Sequence, residues 1–131
     1  MNGKASEHFK WEEFYCPTSN KVIVNDLTLE HVDKLEHLRL AFGRPLRVNS
    51  GYRCPEHNAS VGGADKSMHL EFATDLTPVG KDVDLPTDLA LLHHLAIELN
   101  FTGIGRYDNF IHLDCRSAIG RPPAEWDKRS G

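Results

Sequence analysis

Residues 50–75 read SGYRCPEHNASVGGADKSMHLEFATD. A strand over Pro45 to Asn49 is expected to enter this run and stop at Ser50-Gly51-Tyr52-Arg53, where Gly51 permits a sharp turn that a β-carbon would hinder. Cys54 to Asn58 then starts a short helix, with Pro55 in its first turn. Val61-Gly62-Gly63-Ala64 breaks that helix. Ser67 to Glu71 leads into a second strand, Ala73 to Thr77, which Pro78-Val79-Gly80 closes. An arginine, a serine, a histidine and an aspartate are thus collected around one loop between two strands.

On either side of this run the pattern is helical. Leu29, Val32, Leu35, Leu38 and Phe42 recur at helical spacing and predict a helix over Leu27 to Phe42, with Thr28 as N-cap and Gly43 and Pro45 ending it. A second helix is expected over Leu85 to Asn100, capped by Asp84 or Thr87, with Leu89, Leu92, Leu95, Ala96 and Leu99 as its apolar stripe. Gly103 to Tyr107 and Phe110 to Arg116 read as two strands joined by a tight turn at Asp108-Asn109. On the second, Phe110, His112 and Asp114 share one face and Ile111, Leu113 and Cys115 the other. Phe9, Trp11, Phe14 and Tyr15 form an aromatic flap near the start, where Ser6 is expected to cap a helical turn. The tail, GRPPAEWDKRSG, is expected to be irregular, anchored by Trp126 and frayed at its end. Two helices with strands in hairpin order make an α+β fold, a small antiparallel sheet flanked by helices, in a single domain over residues 1–131.

A net charge of −4 argues against broad capture of nucleic acid or of an anionic membrane, and neither is expected as a partner. No apolar run approaches the ~20 residues of a membrane helix. The opening MNGKASEHFKWEEF lacks the apolar core of a secretory signal, so the chain is expected to be cytoplasmic as made. Cys16, Cys54 and Cys115 contain no CxxC pair. Reduced, partly buried thiols are expected, with a disulfide between two of them as the alternative. Of the eight histidines, His8, His31, His37 and His57 read as solvated surface residues. The adjacent His93 and His94 point apart on a helix and make a poor chelating pair.

His69, Asp75 and His112 remain. Two imidazoles and a carboxylate are a donor set that zinc takes in catalytic sites, with a further position left for water or substrate. There is no HExxH, so a helix-borne metalloprotease site is excluded. From spacing alone, ordinary polar histidines are the default reading of these residues.

The motifs in order go further. Ser50-Gly51-Tyr52-Arg53, Asn58, Val61-Gly62-Gly63, Ser67, His69, Ala73 and Asp75, followed by Gly103-Ile104-Gly105-Arg106-Tyr107, Phe110, His112 and Asp114, resemble the zinc D-Ala-D-Ala carboxypeptidase family. That family also includes peptidoglycan endopeptidases. The opening HFKWEEFYC and Trp126 fit the same pattern, so the resemblance spans nearly the whole chain and is nearest to small single-domain members, many of them from phages. It implies a hedgehog/D-Ala-D-Ala-peptidase-like fold and Zn2+ held by His69, Asp75 and His112. It further implies a monomer that cleaves a peptidoglycan peptide, with Arg53 on a substrate carboxylate or carbonyl and Ser67 contributing a hydroxyl. With no signal segment, release to the cell wall would be phage-like. Carboxypeptidase and endopeptidase both stay open.

The chain departs from the family pattern twice. Asp75 comes six residues after His69, where relatives have seven, and the glycine between them is missing. Glu71 is the substitute ligand should the shortened segment displace Asp75. Many relatives also place a glutamate three residues before the last histidine, where this chain has Asn109. Asp114 is therefore the first candidate for general base or for orienting His112, and Asp108 the second. A non-catalytic member that binds zinc or cell-wall peptide is the alternative function, and a metal-free structural protein is a third.

Overall fold

The computed structural model describes residues 3–130. Helix α1 spans Asp26–Phe42, α2 Pro55–Ser60 and α3 Leu85–Glu98. The strands are β1 (Leu46–Ser50), β2 (Ala73–Pro78), β3 (Gly103–Arg106), β4 (Ile111–Asp114) and β5 (Ala124–Asp127). The five strands form one sheet in the order β1-β2-β4-β3-β5. The first three pairings are antiparallel, but β5 adds to β3 in parallel. The α+β expectation holds. The tail expected to be irregular instead supplies the edge strand β5, too short and polar to announce itself. Ser130 donates its amide and hydroxyl to the Asp108 carboxylate; Gly131, the last residue of the segment expected to fray, lies outside the described residues.

The sheet has two chemically different faces. Thr74, Leu76, Ile104, Ile111 and Leu113 are buried and alternate along their strands with Asp75, Gly103, Gly105, His112 and Asp114. The first set belongs to the core with α1 and α3, whose buried residues include Leu35, Leu38, Leu92 and Ala96. The second set forms the face that carries the site.

Helix α1 starts one residue earlier than expected. Its N-cap is Asn25, whose Oδ1 accepts from the Thr28 amide at 3.0 Å; Thr28, expected to cap, is the buried third residue. Gly43 ends the helix at φ 77°, a conformation glycine adopts without penalty. Asp84 caps α3 through the Thr87 amide. The opening turn at Trp11–Phe14 is not capped by Ser6, which hydrogen-bonds Glu36; Glu13 accepts from the Lys10 amide instead. Gly51 is needed for a different reason from the one expected. Its φ is not left-handed, but an added Cβ would lie 2.7 Å from the Phe14 backbone, where the Tyr52 amide meets the Phe14 carbonyl.

His31 is the largest departure from the expected surface. It is buried between the edges of Phe72 and Phe101, while Leu29, assigned to the buried stripe, is exposed. Its Nε2 hydrogen-bonds Thr74 Oγ1 at 2.9 Å, and its buried Nδ1 has no hydrogen-bond partner. Burial pushes its pKa down to about 3. An unfolded histidine titrates near 6.5, so His31 contributes stability that is complete above that pH and lost as the pH falls toward 3. The total is on the order of 5 kcal/mol, at up to about 1.4 kcal/mol per pH unit. Urea unfolding at pH 7, 6 and 5 should show this slope, and a His31→Leu variant should lack that part of it. Identical slopes would mean that the ring is not held neutral.

All three cysteines are free and buried. Cys16 and Cys54 share a hydrogen bond with sulfurs 3.1 Å apart, tying the aromatic opening segment to the loop after β1. Burial pushes the Cys115 thiol up to about 12.

Candidate metal centre

Strand register builds the site. Ser50, Asp75, His112, Gly105 and Trp126 are successive cross-strand partners, so they form one row across all five strands. A directly opposed antiparallel pair brings Cα atoms to about 4.5–5.5 Å with side chains on one face. Accordingly, Asp75 Oδ1 lies 3.1 Å from His112 Nδ1. The next row holds Ala73, Asp114, Gly103 and Ala124.

His69 reaches the row from outside the sheet. Six residues of straight strand would carry it about 20 Å away. The chain instead forms a 3-10 turn over Met68–Leu70 and bends at Glu71 (φ −98°, ψ −77°) before entering β2. This sets His69 Nε2 3.3 Å from Asp75 Oδ1. The shortened spacing therefore leaves the three ligand atoms together, within 4.8 Å of one another, on three buried residues. Glu71, the substitute ligand, is exposed at the bend and outside the group.

The far nitrogen of each ring is also held. His69 Nδ1 lies 2.7 Å from the Gly51 carbonyl. A carbonyl only accepts, so Nδ1 carries the proton and Nε2 turns its lone pair toward Asp75. His112 Nε2 lies 2.7 Å from Asp114 Oδ2. That carboxylate is fully buried and also takes the Arg116 guanidinium at 2.8 and 3.0 Å. Burial alone would raise the Asp114 pKa, but His112 and Arg116 hold it well below the usual carboxylate range. An ionised Asp114 accepts the Nε2 proton and leaves the Nδ1 lone pair facing Asp75. Histidine ligands of metals are oriented in this way, by a carboxylate or carbonyl on the other nitrogen.

Two lone pairs and a carboxylate oxygen aimed at one point require a positive charge between them. The approach of His112 and His69 holds the Asp75 carboxyl well below the usual carboxylate range, against the cost of its burial. Against the same cost, Asp114 and Asp75 raise the pKa of His112, which is the response of a ring offered a proton where a cation would fit. The donor set suits a zinc ion.

Two glycines make room for this arrangement. A Cβ on Gly103 would overlap the Asp114 carboxylate, and one on Gly105 would overlap the Trp126 ring. Trp126 crosses Gly105 to reach His112, with ring centroids 5.1 Å apart. It donates its indole N–H to Tyr107 Oη at 2.9 Å and lies under the Arg116 guanidinium. The Gly103-Ile104-Gly105 spacing was visible in the sequence; what the glycines accommodate was not.

Arg53 and Ser67 line the same cleft, a cavity of about 500 Å³ that includes His69, Asp75 and His112. Arg53 makes no ion pair with Glu56 or Asp65 among the described residues. Its Nε and Nη1 are held by Ser50 Oγ and Asn58 Oδ1 at 3.2 and 3.3 Å, and its Nη2 sits 3.9 Å from Asp75 Oδ2. Asn58, buried, also donates to the Ala64 carbonyl and so ties Arg53 to the glycine loop. Ser67 Oγ accepts from the His69 amide at 3.2 Å. Asp108, the second candidate base, lies with Ser130 on a neighbouring cleft that shares the stacked rings of Tyr107 and Phe110. The Asn109 carbonyl accepts from Thr77 Oγ1. His93 pairs with Glu125 and His94 with Glu98.

The sheet and its bent approach segment thus define a small α+β protein whose buried two-histidine, one-aspartate group could hold a single metal ion at the floor of an open cleft. The sequence pattern of the peptidase M15 family matches residues 7–114, and the chain belongs to that family. No curated protein matches it. Membership supports hydrolase chemistry on a peptide. No helix among the described residues is long and apolar enough to cross a membrane.

Proposed function

We propose that the chain is a zinc-dependent metallopeptidase that hydrolyses a peptide bond in peptidoglycan stem peptides or cross-links. The convergence of His69 Nε2, Asp75 Oδ1 and His112 Nδ1 carries the reading. Zinc at that point would polarise the scissile carbonyl and lower the pKa of water. His69 and His112 contribute neutral nitrogens whose tautomers Gly51 and Asp114 set. Arg53, held by Ser50 and Asn58 with Nη2 toward the cleft, binds a substrate carboxylate or carbonyl by charge-assisted hydrogen bonds. Ser67 offers its hydroxyl beside it. Trp126 packs against the His112 ring, with the Arg116 guanidinium over the indole. Asp114 acts by positioning His112: with both oxygens engaged by His112 and Arg116 and no exposure, it does not reach a reacting group.

One observation favours a second reading, a member that binds cell-wall peptide without turnover. Asp75 is the one carboxylate lining the cleft, and it belongs to the ligand group; Asn109 stands where many relatives carry a glutamate. Purified peptidoglycan incubated with the zinc-loaded protein separates the two. Release of peptide that stops on chelation and returns with zinc supports the peptidase. One equivalent of bound zinc with no release supports the binding module.

A further inference from the structure

The cleft carries far more positive charge than the proposed chemistry uses. Arg53, Lys66, Arg116, Arg121 and Lys128 all line it, against one carboxylate, Asp75, in a chain whose net charge is −4. Arg116 is neutralised by Asp114 and Arg53 leans toward Asp75. The other three have no carboxylate partner among the described residues. Asp65 adjoins Lys66 in sequence without pairing with it, and Asp127, beside Lys128, is taken by both ends of the Arg129 guanidinium. The three cations come from separate segments brought to one rim. Lys66 lies before the 3-10 turn that carries His69, Arg121 follows the turn after β4, and Lys128 follows β5. Arg121 Nη1 donates to the Lys66 carbonyl at 2.7 Å, and the Lys128 amide donates to the Arg106 carbonyl at 2.8 Å. Their backbones are therefore placed, and their charges are uncompensated.

Like charges gathered without counter-charge repel one another, and an anion in the cleft relieves that repulsion. Resting on the peptidase reading above, we infer that Lys66, Arg121 and Lys128 form a second anion subsite. It takes a free carboxylate of the peptide in addition to the group bound by Arg53. The substrate class is then a peptide with at least two free carboxylates near the scissile bond. The charges line one open cleft of about 500 Å³ with aromatic residues Tyr107, Phe110 and Trp126, a size that suits a short acidic peptide over an extended phosphate polymer.

The test uses the full chain and two synthetic stem-type tetrapeptides, both with a free C-terminal carboxylate. One carries a second, internal carboxylate and the other has it as the primary amide. Calorimetric binding is measured on zinc-loaded and on metal-free protein, at low and high salt, alongside hydrolysis. The dicarboxylate peptide is expected to bind about tenfold tighter at low salt, the sum of charge contacts to exposed Lys66 and Lys128 and half-buried Arg121, with the preference shrinking in salt. A Lys66→Met/Arg121→Gln/Lys128→Met variant should lose the preference yet keep its zinc content and its affinity for the amide peptide. Should loss of the Arg121 hydrogen bond unfold the loop, Lys66→Met/Lys128→Met should still reduce the preference. Equal binding of the two peptides, no binding of either, or a preference that survives in the variants would overturn the subsite. So would displacement of the dicarboxylate peptide by inorganic polyphosphate with far higher affinity than the peptide itself. An intact binding preference without hydrolysis of either peptide supports the subsite, and the peptidase reading then stands or falls on the peptidoglycan assay above.

Discussion

His112→Ala is expected to lower bound zinc from about one equivalent per chain to below about a tenth, and peptide hydrolysis to background, while the domain stays folded. Two protein ligands, His69 and Asp75, are too few for a site of this type. The fold survives because His112 stands on the open face of the sheet, beside Gly105 and Asp75, whereas its neighbours Ile111 and Leu113 supply β4's contribution to the core. Metal analysis after dialysis and a circular dichroism melt read the two effects separately. Stoichiometric zinc in the variant would remove His112 from the site.

The second large effect comes from a residue that touches no ligand. In Gly103→Ala the new methyl group overlaps the Asp114 carboxylate. Asp114 has nowhere to retreat, since His112 Nε2 and the Arg116 guanidinium grip it from two directions. Overpacking of this kind costs about 1–3 kcal/mol. Releasing the carboxylate that orients a ligating histidine weakens metal binding about 10–100-fold. Both losses are expected together, from urea unfolding and from zinc competition with a chelating dye. The neighbouring Ile104→Val trims the core face and should cost about 0.5–1.5 kcal/mol without changing zinc affinity. If Gly103→Ala binds zinc like the parent protein, Asp114 does not set the orientation of His112.

Much of this arrangement could be read in the sequence, and the parts that could not share a cause. Helix α1, the Pro55 start of α2 and the β3–β4 hairpin follow from spacing and turn residues, which are local signals. Motif order brought forward His69, Asp75 and His112, which the structure places together, and Arg53 and Ser67, which line the same cleft. The misses depend on what lies far away in the chain. His31 looked solvated because it is polar, yet its position on α1 faces Phe72 and Phe101. β5 was hidden because four residues reading AEWD become a strand only through their parallel pairing with β3. The effect of the shortened His69–Asp75 segment hinged on the conformation of Glu71, one residue whose bend returns the chain over the sheet. Asp114 offered two roles on paper. Its burial and its two partners support the positioning role proposed for it, and the glycine that makes room for it is eleven residues upstream.

The central claim is that one zinc ion is held by His69, Asp75 and His112. X-ray absorption at the zinc edge, on protein loaded with one equivalent, tests it most directly. The first shell should hold only nitrogen and oxygen at about 2.0–2.2 Å, with the outer-shell scattering of two imidazoles. The free Cys16–Cys54 pair is the competing place among the described residues, offering zinc two adjacent thiol sulfurs. A sulfur shell at about 2.3 Å, or a spectrum without imidazole scattering, would contradict the account.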